Sequence, residues 1–337
     1  MNDNTIIDQQ MIEEEQQLDQ DTIIADAIMA EQIQLQDENI EYQQQKINLD
    51  HIQLKTFEQI NLQQQIGISA LQYLENQGNN QQDLFIASGI NEIDKLLSKG
   101  IRTGIITEIY GPDQSCKTSL ALQFALNAII SEKSDQKVCS IYISTSKKPH
   151  QIRINQIIDG IKQRNEYSDQ KIMSCLDQFQ EVFITENFKL EEFINEDLQE
   201  FYNKYSKVRL IVIDNIYDLA SQIEEFKLKQ QFLFNLVNIF KKIAHEKQTA
   251  IIFVNNVVDQ ISDHNQTNLF TSTTSSVPAL GNYWTHLINE RLHLNLLDQY
   301  APTVKTKLRT LSIKLSPRIP YGFLKFYPDN FGFTISN

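Results

Sequence analysis

The stretch Glu108-Ile109-Tyr110-Gly111-Pro112-Asp113-Gln114-Ser115-Cys116-Lys117-Thr118 constrains this chain more than any other. An apolar lead-in, Ile105 and Ile106, precedes it, and the apolar run Leu120-Ala121-Leu122-Gln123-Phe124-Ala125-Leu126 follows. Strand, loop and helix in that order make a phosphate-binding loop, whose backbone N–H groups turn inward at a helix N-terminus and hold phosphate oxygens. In such a loop Lys117 reaches the β- and γ-phosphates and the Thr118 hydroxyl holds Mg²⁺. The ATP-binding set read from the loop is Gly111, Pro112, Asp113, Gln114, Ser115, Cys116, Lys117, Thr118 and Ser119. The usual pattern has glycine directly before the lysine, where backbone approaches phosphate closely. Here that residue is Cys116. The chain is therefore expected to bind ATP, and its capacity to turn ATP over is in question.

A length of 337 residues allows one large α/β domain and a small appendage, and 41% hydrophobic residues suffice for a buried core. The net charge of −13 is uneven: residues 1–66 carry 14 acids against Lys46 and Lys55, so the remainder is nearly neutral. A protein that coats DNA through a uniformly basic surface would look different. Cys116, Cys139 and Cys175 have no paired spacing that suggests zinc or a disulfide framework, which fits a reducing compartment, cytosol or nucleus. The acidic, glutamine-rich start has no secretory pattern. No apolar run approaches the roughly 20 residues needed to span a bilayer.

Residues 1–66 contain neither Gly nor Pro, and their apolar residues recur at loosely helical spacing, as in Ile24, Ala27, Ile28 and Ile47, Leu49, Ile52, Leu54. Residues 1–76 read as an acidic, Gln-rich helical appendage, partly disordered, with no sustained heptad. Residues 77–83 read as a linker. From Leu84 to the end the texture is α/β. Val138–Ser144, Val182–Thr185, Leu210–Asp214 and Ala250–Val254 are short apolar strands separated by helical patterns such as Leu233–His245. Such runs predict a mostly parallel central sheet covered on both faces. The later runs Leu287–Leu296, Leu308–Leu315 and Gly322–Tyr327 alternate more and predict an antiparallel C-terminal extension.

Arg209-Leu210-Ile211-Val212-Ile213-Asp214 is an apolar strand ending in a carboxylate. Beside a phosphate loop, such an aspartate completes the Mg²⁺ shell, so Thr118 and Asp214 are the predicted metal residues. Hydrolysis also needs a carboxylate to orient water and a polar group that senses the γ-phosphate. After Ile141-Tyr142-Ile143 comes Ser144-Thr145-Ser146-Lys147-Lys148, with no acid, and after Val254 comes Asn255-Asn256. No catalytic residue is assigned, and Asn256 is the candidate γ-phosphate sensor.

Ser88-Gly89-Ile90-Asn91-Glu92-Ile93-Asp94, the Gly100–Glu108 stretch, Pro278-Ala279-Leu280-Gly281 followed by Arg291, and Arg309-Thr310-Leu311 together resemble the RecA-type recombinase superfamily. Ile68–Leu74 and Lys148-Pro149-His150 make the chain most similar to the eukaryotic recombinase paralogs, of the X-ray repair cross-complementing protein three type. The resemblance covers roughly residues 66–335 and implies a RecA-like P-loop core. It further implies an accessory role in homologous-recombination repair of double-strand breaks, in the nucleus. The implied cofactors are ATP and Mg²⁺. The implied partners are another RecA-like paralog, the strand-exchange recombinase, and single-stranded or branched DNA. By the same resemblance Ser146 stands at the place of the superfamily's catalytic glutamate and Asn256 at that of its sensing glutamine. With Cys116, these replacements imply binding with at most weak DNA-dependent turnover.

DNA contact is expected to be weak for the chain alone. Gln248–Glu290, which contains the predicted second DNA loop, has no Lys or Arg, so counterion release there is small. Lys227 and Lys229, in the predicted first loop, are offset by Glu224 and Glu225. Bases gather late, and Lys305, Lys307 and Arg309 are the candidate DNA contacts, with Lys314 and Arg318 nearby. Two rival readings stay open. One is an active DNA-dependent ATPase that forms its own filament, needing a carboxylate such as Glu108 or Asp113. The other is a pseudo-ATPase scaffold in which Cys116 crowds out the phosphates.

Overall fold

The computed structural model describes residues 84–132, 137–260, 275–301 and 305–336. The predicted appendage and linker, and most of the predicted second DNA loop, lie outside these residues.

The chain enters through a small antiparallel pair, β1 (Phe85–Ile86) and β2 (Ile101–Arg102), around α1 (Asn91–Leu96). The loop strand β3 (Ile106–Tyr110) leads into α2 (Lys117–Ile130), followed by β4 (Val138–Ser144), α3 (Gln151–Asn165), α4 (Asp169–Leu176) and β5 (Phe179–Phe183). Then come α5 (Asn187–Asn195), α6 (Asp197–Lys204), β6 (Lys207–Asp214), the one-turn α7 (Ile216–Ala220), α8 (Phe226–Lys247) and β7 (Ala250–Asn255). A short antiparallel pair, β8 (Val257–Gln260) and β9 (Ser275–Pro278), precedes α9 (Gly281–Leu287). The chain closes with β10 (Glu290–Tyr300), β11 (Lys307–Leu315), β12 (Phe323–Asp329) and β13 (Gly332–Ser336).

Nine strands form one sheet in the order β13-β12-β11-β10-β3-β7-β6-β4-β5. The six strands from β10 to β5 are parallel to their neighbours, and β10 to β13 form an antiparallel meander. The switch falls between β10 and β11, so β10 belongs to both halves: parallel to β3 and antiparallel to β11. Several boundaries differ from the sequence expectation, among them β10, which begins at Glu290 and runs to Tyr300 where Leu287–Leu296 was expected. The edge strand β5 lies slightly before Val182–Thr185, because its half-exposed Phe-Gln-Glu-Val-Phe carries little continuous apolar signal. The terminal strand β13, polar on one face, gave no signal of its own.

Strand alternation divides the core. Leu210, Val212, Ala250, Ile252 and Val254 face α2, α3 and α4, while Ile211, Ile213, Ile251 and Phe253 face α5 to α9. The continuous apolar strands of the sequence are thus buried on both faces, as a parallel sheet demands. Helix α2 is buried from Leu120 to Ile130, so the helix that begins at the phosphate loop is fixed by the core along most of its length. Register then sets the site. Tyr110 lies beside Asn255, Val254 beside Asp214, and Asp214 beside Ser144, so all four strands end at one edge. Crevices at the carboxyl ends of parallel strands are where such sheets bind ligands.

Candidate functional site

At that edge the loop after β3 turns tightly against β10. A Cβ on Gly111 would sit 2.1 Å from the Leu294 carbonyl oxygen, so only glycine fits there. Gln114 and Cys116 both have positive φ, 62° and 76°. Cys116 therefore adopts the backbone for which glycine is ordinarily selected, although its side chain disfavours it. It is also the N-cap of α2, and no side chain caps that helix. The first-turn amides have no intrahelical acceptors, and the helix dipole favours an anion in front of them. The Lys117 ammonium reaches back across the loop to the carbonyls of Gly111, at 2.7 Å, and Pro112, at 3.0 Å. Burial pulls Lys117 below the usual lysine range, opposed by Asp113, Asp214 and Asp218.

Thr118 and Asp214 come together across the two strand ends. The Thr118 hydroxyl donates to Asp214 Oδ2 at 2.6 Å, and so does the Tyr142 hydroxyl, also at 2.6 Å. Burial holds the Asp214 carboxyl above the ordinary aspartate range, against these two hydrogen bonds and the Lys117 charge. The peptide bond from Asp214 to Asn215 is cis.

These residues line a cavity of about 720 Å³. Its wall includes Asp113 to Ser119, Ser146, Asp214 and Asn256, which the sequence singled out. Gly111 and Pro112 line instead a smaller cavity of about 290 Å³, which shares Asp113 and Asn256 with the first. Asn256 donates its amide N–H to its neighbour Asn255 and accepts at its carbonyl from Ala279, beside the β8–β9 pair.

Sequence reasoning missed three charged residues of the large cavity, Lys147, Arg153 and Asp218. Asp218 follows Asp214 by four residues, in α7 just past the end of β6, a nearness that could have drawn notice. Arg153 shares the cavity only because α3 crosses toward the C-terminal strands. There it donates to the Ser119 hydroxyl at 3.2 Å and to the carbonyls of Asp329 and Gly332 at 2.7 and 2.6 Å.

Arg309 stands in a different place from that expected of a DNA contact. It is nearly buried, lines the cavity, and donates to the Gln114 carbonyl at 3.0 Å and the Lys307 carbonyl at 2.6 Å. Strand β11 brings it there, since β10 alone separates β11 from β3. Lys307 pairs with Asp298 at 2.9 Å and Lys305 is exposed; neither lines the cavity. Arg318 is taken up by Glu290 at 2.7 Å.

Glu108, the carboxylate nearest the loop in sequence, is fully buried. Its Oε1 accepts from Asn255 Nδ2 and Trp284 Nε1, each at 2.7 Å, and its Oε2 is paired with Arg291 Nε. It lies beneath the site and cannot meet water there. Trp284, fully buried, packs and donates a hydrogen bond.

The arrangement fits a magnesium–nucleotide. The uncapped helix start and the cations Lys117, Arg153 and Arg309 suit phosphates, and Thr118 with Asp214 offers hard oxygen ligands. Among the described residues no group of three His, Cys, Asp or Glu side chains could hold a metal by itself. Mg²⁺ does not need one, since it commonly uses one or two protein oxygens together with phosphates and water.

A family model described as "ATPase: KaiC" matches residues 86–271, more than half of the chain. The chain belongs to the KaiC ATPase family. The chain also resembles recombinase paralogs of the wider RecA-type superfamily. It is 23% identical over 262 residues to human DNA repair protein RAD51 homolog 2, covering 70% of this chain and 65% of that protein. To mouse DNA repair protein RAD51 homolog 4 it is 23% identical over 244 residues, covering 70% and 68%. To DNA repair protein rhp57 of Schizosaccharomyces pombe it is 22% identical over 268 residues, covering 70% and 75%. The chain thus spans about two thirds of the first two relatives' length. In fold, it matches the crystal structure of the RadB recombinase with a TM-score of 0.53 at 21% identity, over 74% of this chain and 98% of that one. Among the described residues no helix is long and apolar enough to cross a membrane.

Proposed function

We propose that this chain is an ATP- and Mg²⁺-binding accessory subunit of homologous-recombination repair in the nucleus. Ile68–Leu74 and Lys148-Pro149-His150 support assigning it to the X-ray repair cross-complementing three branch of the recombinase paralogs. The loop amides and Lys117 hold the phosphates, and Thr118 and Asp214 hold the metal. Nucleotide acts as a clamp that sets association with another RecA-like subunit and, through it, with the strand-exchange recombinase. The observation that carries this reading is the 2.6 Å contact of Thr118 with Asp214 in front of an uncapped helix.

DNA is engaged jointly with the partner. Of the late bases, Arg309 lines the nucleotide cavity and Lys307 and Arg318 are paired with Asp298 and Glu290, so the exposed Lys305 and Lys314 are the bases left for phosphate contacts, a small counterion-release term. The test is co-purification with a recombinase paralog, with and without ATP. Wild type should hold its partner more tightly with ATP, and Lys117→Ala should lose that increment. Equal partner retention by both proteins under ATP would sink the reading.

A further inference from the structure

The end of β4 carries Ser146 where the RecA-type resemblance expects a glutamate, so the carboxylate that orients the attacking water is missing from its usual strand. The structure offers another, on α7, the short helix that follows the adjacent strand β6. Thr145, the residue before Ser146, has its hydroxyl 3.3 Å from Asp218 Oδ2. The same hydroxyl lies 2.9 Å from the Asn215 carbonyl and accepts from the Asn215 amide at 2.7 Å. Asn215 in turn caps α7, its Oδ1 accepting from the amides of Tyr217 and Asp218 at 2.7 and 3.3 Å. The ends of β4 and β6 are thereby clasped together, and the clasp holds Asp218 against the residue that precedes Ser146. Asp218, like Ser146, lines the large cavity.

We infer that Asp218 supplies the water-orienting carboxylate that Ser146 lacks, making the site a slow ATPase. This rests on the proposed ATP-binding role. The sheet order gives the cavity two ends. Arg309, Pro328 and Arg153 lie toward the C-terminal strands, whereas Asp214, Asp218, Ser146 and Asn256 lie where β6, β4 and β7 finish. The second end holds the metal residues, so it receives the terminal phosphate.

The competing acids are less suited. Glu108 is buried beneath the loop, and Asp214 accepts two hydrogen bonds on one oxygen while serving the metal. Asp113 rides on the phosphate loop itself, between the two cavities. Among the described contacts, no hydrogen bond engages Asp218 Oδ1, which is available to accept from water. In the step, the water oxygen bonds to the γ-phosphorus and the bond from that phosphorus to the β–γ bridging oxygen breaks. Its electron pair leaves on ADP. The water proton passes to the Asp218 carboxylate and then to solvent, giving ADP, phosphate and one proton.

The experiment is single-turnover hydrolysis of ATP with Mg²⁺ by the full chain, with the ATP dissociation constant measured in parallel. Asp218→Asn keeps the side chain's shape, so it should bind ATP within about 3-fold of wild type while hydrolysing it about 100-fold more slowly. Adding Ser146→Glu to Asp218→Asn returns a carboxylate to the same end and should recover at least about 10-fold, which a merely structural role for Asp218 would not produce. Wild-type turnover by Asp218→Asn overturns the inference. So does a wild type that binds ATP but hydrolyses it no faster than Lys117→Ala, and that result leaves the binding role standing. A wild type that binds no ATP overturns both.

Discussion

Glu108 and Lys117 are nine residues apart, and each belongs to a charged cluster at the carboxyl edge of the sheet. Beneath the loop, Glu108 sits on the same strand face as Ile106, and its neighbours in register are Phe253 on β7 and Arg291 on β10. That face packs against α8 and α9, so its polar atoms must find partners inside the protein, and Asn255, Trp284 and Arg291 provide them. Above the loop, Lys117, Thr118, Asp214 and Asp218 surround a cavity open to solvent, where polar groups can be left to meet a ligand. Closeness to a motif in sequence says little about which cluster a residue joins. The strand's period of two decides it.

The sharpest way to break this contrast is to remove the interior charge. Glu108→Ala leaves the Arg291 guanidinium buried without its carboxylate, which typically costs about 3–5 kcal/mol. Urea unfolding should show that loss, while any residual folded protein binds ATP normally. A variant as stable as wild type but weak in ATP binding would put Glu108 in the site after all.

Lys117→Ala is the mirror experiment. Charge-assisted hydrogen bonds contribute about 1.5–3 kcal/mol each, so ATP affinity should fall by roughly 10- to 150-fold. Stability should move by less than about 1 kcal/mol, because Lys117 bonds only to loop carbonyls at the cavity rim. Calorimetric titration and a thermal melt on the same preparation check both halves.

The two clusters also differ in how far they could be read beforehand. Gly111 to Ser119 and Asp214 were legible because each is fixed by local chemistry: a strand, a turn, a helix start, a carboxylate at a strand's end. The parallel core was legible for a similar reason, since strands covered on both faces must be continuously apolar. Arg309 and Arg153 were not, because their positions depend on strand order and helix crossing, which leave no local trace. Arg309 in particular looked like one base in a late cluster. Only the placement of β11 next to β10, and β10 next to β3, turns it toward Gln114.

That placement yields the next effect in size. Arg309→Ala removes a guanidinium from the cavity wall and its hydrogen bond to the Gln114 carbonyl. A loss of about 1–1.5 kcal/mol, or roughly 5- to 12-fold in ATP affinity, is expected. Binding to single-stranded DNA in the absence of nucleotide should be unchanged. A fall in DNA affinity with ATP binding intact would restore the expectation drawn from the sequence alone.

The smallest effect belongs to the residue that first set this loop apart. Cys116 holds a left-handed backbone at φ 76°, a conformation that costs a residue with a side chain about 1–2 kcal/mol. Cys116→Gly relieves that strain but frees the unfolded chain, which offsets about 0.4–1 kcal/mol of the gain. The net is a stabilisation of roughly 0.5 kcal/mol, visible as a rise of about 1–2 °C in Tm. Burial pushes the Cys116 thiol above its ordinary range, against the pull of Arg309, Arg153 and Lys117, so at neutral pH it adds bulk to the loop and little charge. If the loop already shapes itself for phosphate around that bulk, ATP affinity will change little on substitution. A large gain would mean that the side chain occupies the phosphates' place and that the open cluster, like the buried one, is chiefly structural.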